Sequence, residues 1–147
     1  MDPVNDPGER GATPRQLPAL DSENRAFWTG GAEGRLQICH CNACGGYTHP
    51  PQPRCSLCHS ADVAPAPVSG RGRVATFTVN QQVWMRGLQE PFVFAAVELE
   101  EQAELYVFTN IINCPVDEVG IGMPVEVLFE HREDVYLPMF QPRGAAQ

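Results

Sequence analysis

The chain contains no lysine: every one of its ten basic residues is an arginine. Without a lysine it cannot form the Schiff base on which one class of aldolases and decarboxylases depends. Positive charge is scarce as well, ten residues against eighteen acidic ones, for a formal charge of −8. A phosphate-backbone binder needs a basic face, and this balance opposes one. Long apolar runs are also missing. Residues 1–17 carry Asp2, Asp6, Glu9, Arg10 and Arg15 instead, so they read as neither an export signal nor a membrane span. There is no Gly-x-Ser-x-Gly elbow, no phosphate loop and no metal-ligand set with an open position.

Proline and glycine are plentiful instead, fourteen and thirteen of 147 residues, which favours short elements and many turns over a helical bundle. With 43% apolar and 19% charged residues the chain is able to bury a core. Its length suits one domain, or one domain plus a small module.

The most specific stretch lies between Cys41 and Cys58. Cys41 and Cys44 form one Cys-x-x-Cys pair, Cys55 and Cys58 a second, with ten residues between them. Two disulfides or unrelated thiols are the competing readings, but two such pairs are improbable by chance, and the spacing is that of a four-thiolate zinc site. Four cysteines leave a zinc ion no place for water or substrate, so this site is structural. Gly45 suits the first turn, and His59 stands where a second turn glycine is expected, a mild departure because histidine tolerates left-handed backbone. Cys39 is read as a small buried hydrophobe and His40, His49 and His59 as bystanders or outer donors. With no export signal and thiols spaced for metal, a reducing cytoplasm is the natural compartment.

Around this stretch the chain divides into a flexible arm (1–17), an N-terminal helix within 18–33, a zinc ribbon (34–62), a β-barrel (63–142) and a tail (143–147). Asp21 or Ser22 can cap the helix and Gly30-Gly31 can end it. Phe27 and Trp28 are adjacent, so they cannot share one narrow face: one packs inward while the other is offered to a partner, or both are half-buried at a junction, and both stand as candidate partner-interface residues. Residues 34–39 read as a strand entering the ribbon, and the two prolines of 61–70 read as a linker. Alternating patterns then predict strands over 73–79, 92–99, 104–111, 124–130 and 135–140, with Pro138 restricting the last to an edge or bulge. Five short strands, with one helical turn near 115–119 between the third and fourth, fit an OB-fold. The fold class is mostly β.

Candidate contact residues follow from composition. Trp84, Met85 and Arg86 in the loop between the first two barrel strands have the makeup of an interface hot spot. Arg54, Arg71 and Arg73 could meet phosphates through the guanidinium fork, or be solvated or paired with local acids. His131 lacks convergent partners and reads as a solvated strand end. Cys114 has Asp117 and Glu118 nearby, which disfavour a reactive thiolate.

One resemblance joins these features. Phe27-Trp28-Thr29-Gly30, Cys41-x-x-Cys44-Gly45, Pro50-Pro51 and Cys55-x-x-Cys58 come first. Ser69-Gly70-Arg71-Gly72, the 94–99 strand, Ile121-Gly122-Met123-Pro124 and Leu137-Pro138-Met139-Phe140 follow. In this order, from about residue 17 to about 142, they resemble the DUF35 family, in which a rubredoxin-like zinc ribbon precedes an OB-fold. The resemblance implies a non-catalytic accessory subunit. Its partner would be a thiolase-fold aldolase or thiolase acting on acyl-CoA, as in retro-aldol cleavage of a steroid side-chain thioester, with acyl-CoA at the interface. Two other classes stand beside it: a nucleic-acid-binding zinc-ribbon/OB protein, which the charge opposes, and a rubredoxin-like iron electron carrier, which would be red.

Overall fold

The computed structural model describes residues 17–81 and 91–144. It opens with a short helix α1 (Arg25–Thr29), extended by a 3-10 turn at Gly30–Glu33. Asp21 prepares the helix: its Oδ1 accepts from the Glu23 and Asn24 N–H groups, and its carbonyl accepts from Arg25 N–H. Gly34, at φ +72°, ends the 3-10 turn in the left-handed region.

Three strands make the ribbon sheet: β1 (Leu36–Cys41), β2 (Tyr47–Thr48) and β3 (Val63–Val68), in the order β2-β1-β3. The third corrects the linker reading of 61–70. All six of its residues pair antiparallel with β1, from Leu36↔Val68 to Cys41↔Val63. Pro65 and Pro67 are tolerated because β3 is an edge strand. Two residues apart, they point their missing N–H in the same direction, and that direction is solvent rather than β1.

The barrel closes in the order β4-β5-β6-β8-β7. Its strands are β4 (Arg71–Asn80), β5 (Phe92–Leu99), β6 (Tyr106–Ile111), β7 (Pro124–Arg132) and β8 (Val135–Pro142), with a 3-10 turn at Val116–Glu118 before β7. The sequence reading of a five-stranded OB-type barrel therefore holds. Pro138 sits inside the closed sheet rather than at an open edge. Pro138 stands opposite Phe129 of β7, but Phe140, two residues on, turns its carbonyl to Ile112 N–H on the β6 side, so Pro138 faces that side too. There β8 meets β6 at a single parallel pair, Ile111↔Phe140, and no ladder bond calls on the N–H that Pro138 lacks. Its carbonyl accepts from the Thr109 hydroxyl at 2.9 Å.

One apolar cluster runs through barrel and ribbon alike. Val74, Val93, Val97, Val107, Val125 and Phe140 fill the barrel, and Phe27, Leu36 and Ile38 join the same cluster from helix and ribbon. A second cluster lies on the outer face of β8, where Val135, Leu137 and Met139 are covered by Leu17, Leu20 and Trp28. β8 is therefore buried on both faces, and the N-terminal segment is its lid. Ribbon and barrel also meet through polar groups at the β5–β6 turn. The Gln102 side chain accepts from Tyr47 N–H at 2.8 Å and donates to the Tyr47 carbonyl at 3.0 Å, while Ser69 N–H donates to Glu101 at 2.7 Å. Among the described residues no helix is long and apolar enough to cross a membrane.

Candidate metal centre and contact surfaces

Two turns of closely matching geometry carry the cysteines. In the first, Cys41 Sγ accepts from Cys44 N–H and Cys44 Sγ from Gly46 N–H, both at 3.4 Å. In the second, Cys55 Sγ accepts from Leu57 N–H at 3.3 Å and from Cys58 N–H at 3.5 Å. Gly45 N–H closes the first turn on the Cys41 carbonyl, and His59 N–H closes the second on the Cys55 carbonyl, each at 2.9 Å. Both closing residues are left-handed, with φ +82° at Gly45 and +67° at His59. The histidine thus takes the glycine conformation its position demands.

The four Sγ atoms lie within 4.8 Å of one another, with Cys41–Cys58 at 3.6 Å and Cys44–Cys55 at 3.7 Å. Four sulfurs about 2.3 Å from one zinc ion form a tetrahedron whose edges are about 3.8 Å, so the donor set fits structural zinc. Cys55 falls to about 6, chiefly because the Cys58 and Leu57 N–H groups bond its sulfur. At Cys58 the Ser60 N–H likewise lowers the thiol, but the sulfur of Cys41, burial and the other two sulfurs outweigh it and push Cys58 up to about 12. The turns thus favour a thiolate at Cys55 first, and a bound ion stabilises the anionic form of all four. Cys39 is buried outside this group, its Sγ 3.8 Å from the Gln52 carbonyl.

The histidines lie outside the four-sulfur group. His40 packs on Tyr47 at 4.9 Å between ring centres and His49 on Phe27 at 4.6 Å. Burial lowers His49 to about 4, and its Nδ1 is buried without a hydrogen-bond partner. Its folded value lies below the unfolded one, so its contribution is complete above about pH 6.5 and is lost as the pH falls through about 4. The whole contribution is about 3 kcal/mol. In urea titrations, His49→Phe should lose about 2.5 kcal/mol less than the wild type between about pH 7 and about pH 4.5. Equal losses in both proteins would show that His49 does not titrate in this way.

Of the predicted contact residues, Phe27 is a correction. It is 5% exposed and belongs to the core, so Trp28, half-buried and edge-on to it at 4.7 Å, is the member of the pair with surface to offer. Trp84 and Met85 lie outside the described residues. The three arginines do not converge as free cations. Arg71 pairs with Glu100 at 3.0 Å, Arg73 donates to the Gly122 carbonyl at 3.2 Å, and Arg54 donates to the His59 carbonyl at 3.0 Å. His131 stacks on Tyr136 at 4.1 Å on an exposed strand end, and burial raises Cys114, with Glu118 and Asp117 adding to it.

A feature absent from the sequence expectations stands on the barrel wall. Phe94 and Phe108 are 47% and 67% exposed and stack with ring centres 6.0 Å apart and planes 7° from parallel. A groove beside them, about 200 Å³, runs along the β6–β8 seam to Trp28, Leu137 and Met139. The signal was present: β5 and β6 carry apolar residues at both parities, although it is the Val93-Ala95-Val97-Leu99 and Val107-Ile111 sets that join the core.

Comparison with known proteins adds relatives to this geometry. Residues 28–64 match the family described as ChsH2, rubredoxin-like zinc ribbon domain, and residues 66–130 match ChsH2, C-terminal OB-fold domain. A probable enoyl-CoA hydratase alpha subunit of Thermomonospora curvata is 36% identical over 130 residues, 87% of this chain and 40% of that protein. The chain thus spans about two-fifths of that relative's length. A DUF35 domain-containing scaffold protein of Methanocaldococcus jannaschii is 34% identical over 98 residues, 64% of this chain and 67% of that protein. Among solved structures, a chain of the Ltp2-ChsH2(DUF35) aldolase superposes with a TM-score of 0.77 at 31% identity, covering 86% of this chain and 98% of that one.

Proposed function

The chain belongs to the DUF35 family, as a ChsH2-type zinc ribbon joined to an OB-fold, and from that premise we propose that it is a non-catalytic accessory subunit of an acyl-CoA enzyme. The observation that carries the reading is its likeness to nearly the whole of one chain of a two-component aldolase. The residues agree with it. Among the described residues the four cysteines form a closed ligand set with no position for substrate.

The finer reading is a thiolase-fold aldolase as partner, cleaving a β-hydroxyacyl-CoA of a steroid side chain into a ketone and a shorter acyl-CoA. The catalytic base and oxyanion donors then belong to the partner, and Trp28, Trp84 and Met85 to the contact. Any contact with CoA phosphates falls to Arg54, Arg71 and Arg73, each of which spends only part of its five donors within the chain. A net charge of −8 weighs against the nucleic-acid alternative.

Affinity purification of the tagged chain from its native host tests the reading. A thiolase-fold enzyme whose solubility or turnover depends on this chain is the expected companion. Recovery of the chain alone, or with proteins unrelated to acyl-CoA chemistry, would defeat it. The purified protein should be colourless, since zinc is d10; visible absorbance would mark iron instead.

A further inference from the structure

We propose that the Phe94–Phe108 stack, with the groove running from it over Trp28, is the seat of the catalytic partner's docking segment. That segment would present an aliphatic side chain flanked by arginine or lysine. The inference rests on the accessory-subunit reading and assigns it a surface. Two large aromatic rings held outward on rigid, paired strands offer contact area at little entropic cost, the character of an interface hot spot. Neither ring is needed by the core, whose side chains come from the alternate positions of the same strands.

Charge selects the occupant. Beyond Trp28 the surface continues into a second hollow carrying Asp21, Glu23 and His49, and no arginine lines either hollow among the described residues. Burial keeps His49 neutral. A second copy of this chain would set carboxylates against carboxylates on two bodies of charge −8, whereas a partner with cations around an aliphatic anchor meets the patch with both terms favourable. The chain's own residues 1–16, which lead into the Pro18 edge of the groove, supply only Met1, Val4 and Ala12 among their aliphatic side chains and are poorly suited to fill it.

The test uses the full zinc-loaded chain and the catalytic subunit recovered with it from the native host, produced recombinantly. Phe94→Ser/Phe108→Ser should weaken the complex about 100-fold or more by titration calorimetry, with zinc content and far-UV spectrum unchanged. Glu23→Gln should slow association several-fold at low salt and make no difference at about 0.5 M NaCl. Wild-type affinity in the double variant would overturn the surface while leaving the accessory role intact. If the wild-type chain binds no catalytic subunit, the accessory role falls and this surface with it. Two further results would reassign the rings: a wild-type dimer by sedimentation that the double variant abolishes, or binding of a labelled single-stranded oligonucleotide that depends on the two phenylalanines.

Discussion

Cys55→Ser is expected to strip zinc from the chain and melt the ribbon while the barrel keeps its fold. Cys55 is fully buried, accepts two backbone N–H groups and is the sulfur most readily ionised. Serine offers an alcohol that stays protonated where a thiolate is required, so the ion loses a ligand and the second turn loses its anchor. Affinity should fall by more than the roughly 10–100-fold that removal of an outer partner costs. Zinc per chain, measured after dialysis against a chelator the wild type withstands, should drop from about one to near zero. Amide spectra should show β1 to β3 losing dispersion while β4 to β8 keep theirs. Retention of full zinc, or collapse of the barrel with the ribbon, would contradict a clip confined to the ribbon. Because the ribbon supplies Leu36 and Ile38 to the shared core, some loss of barrel stability should accompany the melt.

The second large effect concerns barrel closure. Among the described residues Phe140 is the largest fully buried side chain; it opposes Val127 on one side and Ile111 on the other, and its carbonyl accepts from Ile112 N–H at 2.8 Å. It stands where the barrel is closed by one parallel pair. Phe140→Ala should therefore cost about 3–5 kcal/mol in urea denaturation, the range for emptying a buried aromatic site. Phe94→Ala, on the outer face of the same barrel, should cost less than about 1 kcal/mol. Similar losses at the two positions would mean that inside and outside are wrongly assigned.

Much of this architecture is legible in the residues, and the exceptions have physical causes. Period-two alternation starts β7 at Pro124, where it is observed, and the cysteine spacing names all four members of the metal group. The prolines of β3 mislead because proline is a strand breaker only where the ladder needs its N–H, and an edge strand with prolines two apart does not. Phe27 and Trp28 could not be sorted from sequence, since a five-residue helix is too short for periodicity to choose a buried face. The exposure of Phe94 and Phe108 is a matter of which parity the closed barrel turns inward. Alternation alone gives two candidate faces when both are apolar.

The Gln102 side chain occupies both backbone groups at the free edge of Tyr47, acting as one rung of an absent strand. It comes from the barrel's sequence, some fifty-five positions away from the ribbon residue it serves. A ribbon transplanted from a relative would therefore arrive with an unsatisfied edge unless the recipient's β5–β6 turn were exchanged along with it. For chimeras, the unit of exchange is the ribbon together with this turn, although the two are discontinuous in the gene.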